Sequence, residues 1–111
     1  MNIKRGDIYF VKDTNQGGSE QNRNRPAIIV SNDLGNTFSS IVEVVFLTTQ
    51  PKKVLPTHCF ILAKKQSVAL CEQITTISKE RLGTYIRSCS ALEMQNLNNA
   101  LAVSLGLVEE A

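Results

Sequence analysis

The run Ile41-Val42-Glu43-Val44-Val45-Phe46-Leu47 is the stretch that most constrains the fold, because only Glu43 interrupts its apolar character. β-Branched and aromatic residues suit a pleated strand. Successive strand side chains point to opposite faces, so a strand apolar at successive positions must be covered on both. It is therefore expected to be the central strand of a sheet. Four further segments share its bias and are bounded by turn residues: Ile8 to Val11 behind Gly6-Asp7, Pro26 to Val30, Thr57 to Leu62, and Val68 to Ile74. The basic turn Ala63-Lys64-Lys65-Gln66 separates the last two, and Ser31-Asn32-Asp33 with Gly35-Asn36 reads as a turn ending the Pro26 strand. Short strands at such intervals indicate a small barrel or sandwich.

The period changes near the C-terminus. Ser78 to Leu82 reads as one helical turn stopped by Gly83, before a last strand at Thr84 to Arg87. Ser90-Ala91-Leu92-Glu93 is a capping box, and Met94, Leu97, Leu101 and Leu105 follow at helical spacing, with Ala100 and Ser104 on the same face. The expected architecture is mainly β, closed by a C-terminal helix packed on the barrel. With 111 residues and no linker, repeat or low-complexity tract, residues 1–111 are expected to form one domain.

Composition narrows the chemistry. No apolar run is long enough for a bilayer, and Met1 to Asp7 lacks the apolar segment of a signal peptide, so a soluble cytoplasmic protein without membrane association is expected. Cys59, Cys71 and Cys89 have no close metal-ligand or redox spacing and read as buried small hydrophobes. The single histidine, His58, lies within a strand pattern and reads as structural or surface. A nucleophilic pair with the adjacent Cys59 is excluded because strand neighbours face opposite ways. No phosphate-binding glycine motif or nucleophile elbow occurs, and neither a metal nor another cofactor is expected. The net charge of +2 is small, but Lys4-Arg5, Arg23 with Arg25, Lys52-Lys53 and Lys64-Lys65 cluster beside expected strands. They either line one groove or solubilise four loops.

The stretch Arg23-Asn24-Arg25-Pro26 follows a long polar segment, Lys12 to Asn24, that has no apolar period and contains Gly17-Gly18. Proline at a strand start holds its predecessor extended, which aims Arg25. An aimed guanidinium binds phosphate, and Thr48 at the exit of the neighbouring strand adds a hydroxyl for the same oxyanion. RNA brings its own nucleophile, the 2′-hydroxyl, so such a pair suits phosphoryl transfer without metal.

Lys4-Arg5-Gly6-Asp7-Ile8-Tyr9-Phe10, Gly18-Ser19-Glu20-Gln21, Arg25-Pro26, Ser31-Asn32-Asp33, Thr48, Leu55-Pro56-Thr57-His58, and Glu72-Gln73-Ile74 with Ile77-Ser78-Lys79-Glu80-Arg81-Leu82 resemble, in order and spacing, the MazF/PemK family of toxin endoribonucleases. The resemblance runs essentially end to end. It implies an SH3-like antiparallel β-barrel with a C-terminal helix, a homodimer that cuts single-stranded mRNA at short sequences, and a cognate antitoxin that blocks the RNA groove with an acidic, partly disordered tail. It implies that Arg25 and Thr48 are the catalytic pair and that Ser19, Glu20 and Gln21 contact RNA. Gln73, Thr76 and Arg23, the last at most a phosphate contact, are expected as further RNA contacts. The expected reaction is 2′-hydroxyl attack giving a 2′,3′-cyclic phosphate and a 5′-hydroxyl. Two features depart from the family: Thr75 stands where an arginine is frequent, and Thr14 to Gly17 offers no side chain to stack on a base. The alternative reading is a non-catalytic toxin of the CcdB type, which shares the barrel and poisons DNA gyrase by binding it.

Overall fold

A computed structural model describes residues 2–12, 24–51 and 53–109. The elements are β1 (Asp7–Lys12), β2 (Asn24–Ile29), α1 (Asp33–Phe38), β3 (Ile41–Thr48), β4 (His58–Ala63), β5 (Lys65–Ser78), a 3₁₀ turn (Lys79–Arg81), β6 (Leu82–Ser88) and α2 (Ala91–Ser104). The strands form one antiparallel sheet in the order β4-β5-β3-β2-β1-β6, curled into a half-barrel against which α2 packs through β4 and β5. No described helix is long and apolar enough to cross a membrane.

β3, which carries the apolar run Ile41 to Leu47, lies in the middle of this sheet, and from Val44 to Leu47 it is covered on both faces. Val45 and Leu47 join Ile8, Ile28, Cys59, Ile61, Ala69 and Cys71 in a core sealed by Leu97, Ala100 and Leu101 of α2. Val42, Val44 and Phe46 point the other way, into a second cluster with Tyr9, Val11, Ala27, Ile29 and Ile77. Of the free cysteines expected inside, Cys59 and Cys71 are buried, whereas Cys89 just past the last strand is only half-buried, its thiol pushed up to about 11 chiefly by burial.

The two edge strands are joined by a side chain. Arg87 of β6 donates from Nε to the Leu62 carbonyl of β4 (2.8 Å) and from Nη2 to Glu93 of α2 (2.6 Å), so one guanidinium ties both edges and the helix. The sheet also meets the start of α2 at Gly6. Its φ of 96° and its hydrogen bonds to Ile29 and Cys89 place it where a Cβ would stand 2.9 Å from Met94 Sδ. Only glycine fits there.

Four local expectations are corrected. Asp33–Phe38 is a short helix, capped by Asn32 Oδ1 accepting from Gly35 N (2.8 Å), where a turn was expected. Turn-forming residues and N-caps are the same residue types, so sequence does not separate them. The turn expected over Ala63 to Gln66 shrinks to Lys64 alone, because Ala63 pairs with Lys65. Lys12 and Asn24, expected in the loop, pair as strand residues, and residues 13–23 lie outside the described residues. Leu105, expected on the buried face of α2, is its exposed C-cap, since the helix stops before carrying it over the sheet.

Candidate active site

Arg25 is the second residue of β2 and pairs with Val11 of β1. The Val30 N–H bonds to Glu43 of β3, so by alternation the nitrogen of Pro26 also faces β3, beyond Ala27 where the β2–β3 pairing begins. Proline therefore sacrifices no ladder bond there. The Arg25 guanidinium lies 4.4 Å from the centroid of the Phe46 ring. This cation–π contact fixes the plane of the fork while leaving its N–H edges to a ligand. No carboxylate among the described residues ion-pairs with it.

Thr48 ends β3 on the same face as Phe46, and its Oγ1 accepts from Gln50 N (3.1 Å), leaving the hydroxyl proton to donate. Arg25 and Thr48 line one cavity of about 480 Å³ together with Gln50, Pro51, Lys53, Leu55, His58, Leu70, Glu72 and Gln73. The opposite wall is made by an irregularity in β5. Val45 pairs with Ile74 and Leu47 with Ala69, so Leu70 to Gln73 stand opposite Phe46 alone. Such a bulge re-aims side chains, and here Leu70, Glu72 and Gln73 all reach the cavity.

Sequence reasoning passed over the pair His58 and Glu72. The His58 side chain is 4% exposed, and its Nδ1 accepts from Leu55 N (3.2 Å), which assigns the ring proton to Nε2. Nε2 meets Glu72 Oε2 at 3.1 Å, and Thr57 Oγ1 donates to Oε1 at 2.9 Å. Burial pushes the Glu72 carboxyl up, but its own backbone N–H, His58 and Thr57 outweigh this and hold it below the ordinary carboxylate range. The cavity thus holds an oriented carboxylate across from a guanidinium. The signal for it was present in Thr57-His58 and Glu72, but strand separation hid that the residues meet. Cys59 faces the core, as strand alternation required.

Of the other expected RNA contacts, Gln73 lines the cavity. Thr76 does not: it is exposed opposite Glu43, further along β5. Ser19, Glu20, Gln21 and Arg23 lie outside the described residues. Among the described residues no group of three or more histidine, cysteine or acidic side chains could hold a metal ion.

Comparison with known proteins identifies the family. A model of PemK-like, MazF-like toxins of type II toxin–antitoxin systems matches residues 4–105. Endoribonuclease EndoA of Bacillus subtilis (strain 168) is 42% identical over 98% of this chain and 99% of its own length. An endoribonuclease from a Mycobacterial species, solved in complex with its cognate antitoxin, superposes with a TM-score of 0.79 at 28% identity, covering 97% of this chain and 99% of that one. A chain of a MazE-MazF crystal structure from Deinococcus radiodurans shares the fold, with a TM-score of 0.82 at 19% identity over 97% and 99% of the two chains. With the family model spanning nearly the whole chain and the expected arginine and threonine meeting in one cavity, the chain belongs to the PemK-like, MazF-like toxins of type II toxin–antitoxin systems.

Proposed function

We propose that the Arg25–Thr48 cavity is the cleavage centre of a sequence-specific endoribonuclease toxin that cuts single-stranded mRNA without a metal ion and thereby stops translation. The observation that carries this reading is the convergence of Arg25, Thr48 and the Glu72 carboxylate on one open cavity. Arg25 binds the non-bridging phosphate oxygens and stabilises the charge that grows on them in the transition state, with Thr48 donating to the same oxyanion. A guanidinium is a poor base. Glu72, ionised and held by His58 and Thr57, takes the proton of the 2′-hydroxyl as the O2′–P bond forms and the P–O5′ bond breaks. The departing 5′-oxygen takes a proton from water, and Glu72 returns its own to solvent. The products are a 2′,3′-cyclic phosphate and a 5′-hydroxyl. Ser19, Glu20 and Gln21 are assigned to RNA contact on the family resemblance, Gln73 on its place in the cavity, and Arg23 and Thr76 as outlying contacts.

The same reading takes the toxin as a cytoplasmic homodimer silenced by an antitoxin whose acidic tail competes with RNA for Arg25 and Lys53. The antitoxin complex of the Mycobacterial endoribonuclease supports the partner. High salt weakens both RNA and antitoxin binding, because both rest on the same cations.

Purified protein on an end-labelled RNA, with and without EDTA, tests the proposal. Cleavage persists in EDTA and falls about a hundred- to a thousandfold in Arg25→Ala. Loss of cleavage in EDTA, full activity of Arg25→Ala, or double-strand DNA breaks with intact mRNA on expression would each overturn it.

A further inference from the structure

A second cavity, of about 390 Å³, adjoins the first through Thr48 and is lined by Phe10, Pro26, Leu47, Thr49, Ala63, Lys64, Lys65 and Ser67. Phe10 and Pro26 continue the alternation of the core residues Ile8 and Ile28, while Leu47 and Ala63 are themselves core. The cavity is therefore the open end of the barrel interior, apolar at its floor. Its rim is the β4–β5 hairpin, where Lys64 alone makes the turn with φ 67°, the one left-handed non-glycine among the described residues. A lysine in that conformation is strained where glycine would not be, and strain of this kind gathers at ligand sites. Its Nζ lies 5.9 Å from the centroid of the half-buried Phe10 ring. Lys65 follows on the same rim, so the basic pair singled out in the sequence has a place that the cleavage centre does not use.

An endonuclease that works by in-line attack must hold the nucleotides on both sides of the scissile phosphate. Thr48, assigned to that phosphate, stands at the junction of two cavities. We propose that the barrel-mouth cavity is the subsite for one of the two nucleotides joined by the scissile bond, with its base stacked on Phe10 and its outer phosphate held by Lys64 and Lys65. This rests on the cleavage reading given above. A base entering the cavity takes the face of Phe10 from the Lys64 ammonium, which swings out to the phosphate. Pro26, Leu47 and Ala63 give the pocket an apolar lining beside the Phe10 π-face, and the proton of the buried Ser67 hydroxyl is already committed to the Lys65 carbonyl (2.9 Å), so the pocket selects mainly by base size and stacking strength.

The test uses Phe10→Leu, which keeps apolar volume without the stacking face, and Lys64→Gly, which removes the charge and relieves the left-handed turn. RNA carrying 2-aminopurine on one or the other side of the scissile bond, with 2′-deoxyribose at the attacking nucleotide, reports binding. Quenching is expected at one of the two positions with the wild-type protein and is lost in Phe10→Leu. On cleavable RNA the KM of Phe10→Leu rises about fivefold or more, a larger change than in kcat. In Lys64→Gly the slope of log KM against log salt falls by about 0.7. If Arg25→Ala abolishes cleavage while both variants keep the wild-type KM, salt slope and 5′-end sequences, this inference alone fails. Activity of Arg25→Ala would instead remove the cleavage reading itself. Loss of antitoxin binding with unchanged RNA kinetics would assign the cavity to a protein partner and overturn the proposal.

Discussion

In the proposed cleavage, Arg25 and Glu72 divide the work that a single residue could not do. A guanidinium fork suits the phosphate, while the Glu72 carboxylate is kept ionised and oriented by donors on its two oxygens. Glu72→Gln keeps an acceptor oxygen but not the basicity, so kcat is expected to fall about a hundredfold or more with little change in KM. The wild-type kcat should decline only at acid pH, as Glu72 protonates below the ordinary carboxylate range, and that limb should vanish in Glu72→Gln. A parallel pH profile in the variant would show that Glu72 is not the base. Thr48→Val removes a hydrogen bond to a charged oxygen and is expected to lower kcat/KM about ten- to a hundredfold, read in the same assay. Arg25 and Thr48 were legible in the sequence because proline and strand exit mark them locally. Glu72 was not, because its meaning depends on Thr57 and His58, which meet it across a strand pair.

At the scale of elements, α2 is the one whose start was readable residue by residue. Ser90 Oγ accepts from Glu93 N (3.1 Å) and Glu93 Oε1 accepts from Ser90 N (2.8 Å), which is the capping box its sequence announced. Ser90→Ala is expected to destabilise the fold by about 1 kcal/mol, a few degrees in a thermal melt. Glu93 also carries the Arg87 bond, so Glu93→Gln should cost more than the cap alone. The misread elements share a cause. α1 and the Lys64 hairpin are built from residues equally at home in caps, turns and strand ends, and β5 was cut short at Ile74 although it runs to Ser78. The bulge at Leu70 to Gln73, which makes the cavity wall, has no residue type that marks it.

For the whole molecule, Glu72 and Glu93 both have carboxyls held below their ordinary range, Glu93 chiefly by Arg87. Groups with a depressed folded pKa stabilise the native state above the unfolded value and lose that contribution as pH falls through the folded one. The melting temperature should therefore be level above about pH 5 and decline below about pH 4, with a shallower decline in Glu93→Gln. The opposite sign, a rise on acidification, would contradict the assignment. By itself the sequence determined the strand character of Ile41 to Leu47, the switch to a helix at Ser90 and the candidacy of Arg25 and Thr48. Each of these is written in neighbouring residues, through side-chain alternation, capping and the stiffness of proline. Only the tertiary structure decided that Arg25 and Thr48 share a cavity with Glu72, and that a second cavity opens past Thr48, because both depend on the register of β3 against β5 and on the curl of the sheet.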